Sequence, residues 1–146
     1  MLKISKLTDY ATAILLYMSK DAELKTTDSI ALSVGLELPT TSKVLKLLTK
    51  ADLLSSTRGV NGGYILGKKI ENISLFDVIQ AIEGKTAITD CSHTDNICNQ
   101  VSGCNSKSGW QKVNAQIQNV LSTMTIARMI ELNGIAKPDI KLNIKS

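Results

Sequence analysis

Cys91, Cys98 and Cys104 are all the cysteines of this 146-residue chain, and they fall in one stretch as C-x6-C-x5-C. Thiolates are soft donors, so three of them on one loop suit a soft metal ion or an iron–sulfur cluster. Zinc sites favour much tighter cysteine pairs, and the wide spacing lets a loop wrap a larger object. The surrounding KTAITDCSHTDNICNQVSGCNSK, residues 85–107, is polar and has neither helical nor strand period. A structural free cysteine is usually buried instead. A cluster normally takes four ligands. Candidates for the fourth are His93, Lys107, Asp90, Asp95 and an oxygen donor from another helix or subunit. His93, the only histidine, stands two residues after Cys91, an awkward offset for the same cluster. A redox switch and a zinc site are the alternatives for the three thiols. Covalent catalysis has little support: Cys91 and His93 are i, i+2 loop neighbours, and no nucleophile–base frame occurs. The chain does not read as an enzyme.

Charge marks a second chemistry. The net charge is +4. Residues 1–69 hold ten Lys/Arg against six Asp/Glu, and residues 70–146 hold seven against seven. An anionic partner should therefore bind the first half. Thr40, Thr41, Ser42 and Lys43 open a helix on which Lys43, Lys46 and Lys50 recur at i, i+3, i+7. These hydroxyls and ammonium groups can meet phosphate or base edges. A merely solvated lysine face has the same pattern. What favours DNA is the glycine-rich RGVNGG that follows directly, a hairpin tip carrying Arg58 and Asn61. A guanidinium there can enter a minor groove. No strand–loop–helix with a following Lys-Ser/Thr is present, which argues against a nucleotide site.

The elements that must hold these groups follow from apolar spacing. Only 3% of residues are aromatic, so the core must be aliphatic. Ile4, Leu7, Ala11, Ile14, Leu15 and Met18 form one helical stripe over residues 4–19. A short helix from about Asp28 to Val34 is expected, with Thr27 as N-cap and Gly35 as stop. Pro39 is placed at the first position of the next helix, which runs to about Ala51 with Val44, Leu47, Leu48 and Ala51 on one face. Helix, tight link and basic helix make a helix-turn-helix, and the hairpin of residues 53–66 makes its wing. Ser74 caps a helix ending at Gly84, with Leu75, Val78, Ile79 and Ile82 buried. Ser108 and Gln111 read as a capping box. Trp110, Val113, Ile117, Val120 and Met124 then follow as a two-heptad seam suited to a dimer, or to the chain's own first helix. A last apolar segment spans Ile126–Leu132.

The expected fold is thus mainly α: a winged helix-turn-helix with a long C-terminal dimerisation helix. The expected units are a DNA-binding domain (1–84), a cluster-binding loop (85–107), dimerisation helices (108–133) and a flexible tail (134–146). No apolar run approaches the length of a membrane span. The first twenty residues read as an amphipathic helix, not a signal peptide, so a cytoplasmic setting is expected; three cysteines, an odd count in a reducing compartment, argue against a disulfide framework.

Four segments together, MLKISKLTDY (1–10), RGVNGGYILG (58–67), ISLFDVIQAIEG (73–84) and the cysteine loop, resemble the Rrf-two family of winged-helix repressors. The likeness covers about residues 1–133. The K-L-T-D-Y opening and the T-D-C start of the loop are most similar to the branch regulating the Suf iron–sulfur assembly operon. The resemblance implies a homodimer built on the long helix, bound to double-stranded operator DNA. It implies that Cys91, Cys98 and Cys104 hold an iron–sulfur cluster, with [2Fe–2S] favoured over [4Fe–4S]. In the IscR-like pattern a histidine follows the last cysteine by three residues, where this chain has Lys107. In the NsrR-like pattern an aspartate of the partner's first helix serves, and Asp9 matches that position and is preferred over His93. The implied role is a regulator, in the repressor sense, that senses cluster status and controls iron–sulfur assembly genes. A cluster-free winged-helix repressor with a cysteine redox switch is the alternative.

Overall fold

The computed structural model describes residues 3–85 and 107–134. The expectations for Cys91, Cys98, Cys104, His93, Asp90 and Asp95, and for the tail from residue 135, lie outside the described residues. Among the described residues there are six α-helices, one 3-10 turn and one two-stranded sheet.

Helix α1, Lys6–Met18, begins where the Ser5 hydroxyl accepts the Thr8 N–H at 3.3 Å, and it buries Ala11, Ile14, Leu15 and Met18. Helix α2, Thr27–Val34, is capped by Thr26, one residue before the expected Thr27. The Thr26 hydroxyl accepts the Ser29 N–H at 3.2 Å, which makes Thr27 the first helical residue. Gly35 ends α2 at φ 69°, a left-handed conformation that glycine adopts without a Cβ penalty. Helix α3, Leu38–Lys50, starts from Glu37, so Pro39 holds its second position rather than its first. Either place suits proline, because first-turn N–H groups have no partner inside the helix.

Strands β1, Leu54–Thr57, and β2, Gly63–Leu66, pair antiparallel from Leu54 with Leu66 to Thr57 with Gly63. On its other edge Tyr64 forms a bridge with Lys25 of the α1–α2 link. A 3-10 turn, Ile70–Asn72, leads to α4, Leu75–Glu83. Ser74 caps α4 and Gly84 closes it, as the sequence indicates, and Asp77 returns the cap to Ser74; of the expected stripe Val78 and Ile79 are buried, Leu75 and Ile82 half-buried. Helix α5, Lys107–Thr123, already includes Ser108. An N-cap has extended backbone, so a helical Ser108 is not the cap of an S-x-x-Q box.

One aliphatic core joins these elements. Ile14, Leu15, Met18, Ile30, Val44, Leu45, Leu48, Leu53, Leu54, Ile73, Val78 and Ile126 are all fully buried. Leu47 and Ala51, expected on the same face of α3, are half-buried. Helix α5 lies against α4, and α6, Ile126–Leu132, turns back onto α1 and the 3-10 turn. Two backbone bonds fix that return: Leu75 N–H to Met124 O at 2.8 Å and Ile126 N–H to Ile73 O at 2.9 Å.

Candidate nucleic-acid interface

Helices α2 and α3 pack on each other across Gly35, and α3 packs on α1, α4 and β1. The buried row Val44, Leu45, Leu48 fixes the roll of α3. That roll turns Lys43, Lys46 and Lys50 outward, and all three are exposed. Thr40 and Ser42 are half-buried at the helix start.

Thr41 departs from the expected surface set. It is 0% exposed, and its hydroxyl donates to the Glu37 carbonyl at 3.0 Å. Its hydrogen-bonding capacity is spent inside the helix, which is how a threonine is buried without an unpaired polar group.

The wing presents Arg58 and Asn61 at its tip, both exposed. The tip is tightly wound: Gly62 N–H donates to Gly59 O at 2.9 Å, Gly59 has φ 114°, and a Cβ on Gly62 would lie 2.3 Å from Thr57 O. An arginine on such a turn is presented with little freedom in its backbone. Sequence reasoning missed Lys68 and Lys69, exposed just beyond β2. They add positive charge after the wing, and only the plain count of lysines pointed to them.

Asp9 is exposed in the first turn of α1. Its neighbour Thr8 is buried, and the Thr8 hydroxyl donates to Glu83 Oε1 at 2.6 Å. The Ser5 N–H donates to the same oxygen at 3.1 Å. Glu83, the last residue of α4, therefore does for α1 what an N3 glutamate does in a capping box. These donors hold its carboxyl below the usual carboxylate range, the Thr8 bond first, against the opposing effect of burial. The clamp brings the turn carrying Asp9 to the end of α4, from which the chain continues toward the cysteines. Sequence reasoning did not find it, since the partners lie 75 and 78 residues apart.

The expected donor set, three thiols outside the described residues and the exposed Asp9 carboxylate, fits a cluster in kind: soft donors with one oxygen. Among the described residues, no group of three or more His, Cys, Asp or Glu converges to hold a metal ion, and no helix is long and apolar enough to cross a membrane.

A family model described as Rrf2, iron-dependent transcriptional regulator, matches residues 4–132. Protein aau3 of Rhizobium meliloti is 30% identical over 141 residues, covering 95% of this chain and 89% of that protein. Protein rrf2 of Nitratidesulfovibrio vulgaris is 28% identical over 131 residues, covering 88% and 87%. The structure of IscR from T. potens superimposes with a TM-score of 0.69 at 28% identity, over 93% of this chain and 91% of that one. The structure of CymR, the global cysteine regulator of B. subtilis, gives 0.72 at 24% identity, over 90% and 98%.

Proposed function

The chain belongs to the Rrf2 family of winged-helix transcriptional regulators, and on that premise we propose that it is a homodimeric repressor whose hold on operator DNA follows the state of an iron–sulfur cluster. It is a DNA-binding regulator rather than an enzyme. Lys43, Lys46 and Lys50 neutralise phosphates, Thr40 and Ser42 approach the major groove, and Arg58 and Asn61 reach the minor groove. The observation that carries this reading is that the exposed lysine flank of α3 and the exposed tip of the wing belong to elements sharing one core.

Cys91, Cys98 and Cys104 would hold the cluster, with the partner's Asp9 as fourth ligand. [2Fe–2S] is favoured over [4Fe–4S], and the family's description as iron-dependent supports an iron cofactor. When bound, the cluster supplies an iron centre sensitive to redox state and to competing ligands. Asp9 sits one residue from Thr8, so a ligand role at Asp9 bears on the Glu83 clamp and on the placement of the whole head. The apolar side chains left open on α5, Trp110, Val113 and Val120, supply the dimer seam. Control of iron–sulfur assembly genes, with similarity to the Suf branch, is the target assignment.

The test is anaerobic purification with iron and sulfide counts, an absorption spectrum, and binding to the DNA upstream of the gene. The expected protein is coloured, Cys98→Ser bleaches it, and apo and holo forms differ in affinity at matched ionic strength. A protein that reconstitution with iron and sulfide leaves colourless overturns the cluster and favours a cysteine redox switch. Equal apo and holo affinities overturn sensing.

A further inference from the structure

Among the described residues Lys25 is the one buried lysine, 8% exposed, which is rare for a lysine unless it is paired. It lies in the link between α1 and α2, and its backbone closes the outer edge of the wing: Lys25 N–H donates to Tyr64 O at 2.9 Å, and Tyr64 N–H donates to Lys25 O at 2.8 Å. Its ammonium bonds Asp21 Oδ1 and lies 5.2 Å from the centre of the Tyr17 ring, which Lys20 also approaches at 5.5 Å. Asp21 accepts the Glu23 N–H as well, at 3.0 Å, which fixes the turn of the link. Gly63 leaves room for this bridge, because a Cβ there would lie 2.5 Å from Lys25 O. The next residue, Thr26, is the N-cap of α2.

Lys25 is buried but its partner Asp21 is 45% exposed; such a half-open ion pair contributes little net stability, and its use here is to fix where the Lys25 side chain lies. The Lys25 side chain is held to Tyr17 at the end of α1 and to Asp21 just after it, which favours Lys25 as the residue opposite Tyr64. A slip of one residue would turn its side chain to the other face and shift the start of α2. We propose that Lys25 is a positioning residue for DNA reading: it sets the wing against the helix-turn-helix, and so the spacing between groove contacts by Arg58 and by α3. This rests on the reading of Arg58 as a groove contact.

The experiment uses the full-length protein and a duplex from immediately upstream of its gene, with Lys25→Met, Asp21→Asn, Arg58→Ala and the Lys25→Met/Arg58→Ala pair. Lys25→Met keeps the bulk and removes the charge, and a far-ultraviolet spectrum and thermal melt check that it folds. The expected loss of affinity is about tenfold, on the scale of one groove contact, with no further loss when Arg58→Ala is added. Hydroxyl-radical protection at the wing's minor-groove position fades, while guanine N7 protection under α3 persists. Asp21→Asn, which leaves the lysine in place, shows the same selective fading to a smaller degree, so the proposal stands or falls even if Lys25→Met unfolds. Wild-type footprints in Lys25→Met, or in Asp21→Asn if Lys25→Met unfolds, overturn the proposal, as do losses that multiply with Arg58→Ala. If Arg58→Ala alone binds as the wild type does, the groove role of Arg58 fails first, and the positioning role goes with it.

Discussion

Single side chains decide how firmly the head is tied together. Glu83 receives the Thr8 hydroxyl and the Ser5 N–H, and its carboxyl titrates lower in the folded chain than in the unfolded one. A depressed carboxyl stabilises the fold above its unfolded pKa and loses that contribution as pH falls through its folded pKa. Glu83→Gln, which keeps the shape and one acceptor, should thus be less stable than wild type near neutrality, and the gap should close in acid. Urea midpoints at about pH 7 and about pH 3 measure it; a gap that ignores pH would contradict the clamp. Arg58 is exposed, so Arg58→Ala should leave folding intact and cost about 1–3 kcal/mol in operator binding, read by anisotropy titration. Not every such residue was legible. Thr41 precedes Val44, Leu45 and Leu48 by three, four and seven positions, so its burial was written in the apolar period of α3. A polar residue type masked it. Lys25 gave no signal, because spacing from Asp21 means proximity only inside a helix, and this link is not helical.

At the scale of elements, the sequence was read well wherever one apolar stripe and one cap agreed. The α4 stripe with Ser74 before it and Gly84 after it marked that helix at both ends. The errors fell at helix starts, α3 included, where Glu37 and not Leu38 precedes the first turn. Thr26 and Thr27 are adjacent, and Ser108 has a glutamine at the right offset yet lies one residue inside its helix. Stripes locate the middle of a helix, and capping geometry locates its ends, which depends on backbone angles that residue types do not specify. The roll of α3 was legible, and with it the direction of its lysines. Replacing Lys46 by alanine should weaken binding to all duplexes nearly uniformly, and should reduce the slope of log affinity against log salt by about 1. Titrations over a salt series check this. A loss confined to one base position would make Lys46 a base reader instead.

The whole molecule shows a head with one closed core and a long helix whose outer side is still apolar. Trp110, Val113 and Val120 are 43%, 43% and 59% exposed. This open row favours the dimer seam over packing on the chain's own first helix. Val113→Asp should shift the mass seen by light scattering from dimer toward monomer without unfolding the head; an unchanged dimer mass would place the seam elsewhere. The return of α6 was beyond the reach of periodicity, since it rests on backbone bonds between residues 73–75 and 124–126. It also bears on how the protein can be cut. Ile126 and Ile130 fill the head from the far end of the chain, and each is worth about 1.5–3 kcal/mol in burial, a large share of a margin on the order of 5–15 kcal/mol. A fragment stopping at residue 85 should melt well below the intact chain in calorimetry. A premature stop between the two halves would therefore release no free-standing DNA-binding half. It would yield a polypeptide fit for degradation, so that the DNA-reading half is inherited only together with the helices that complete its core.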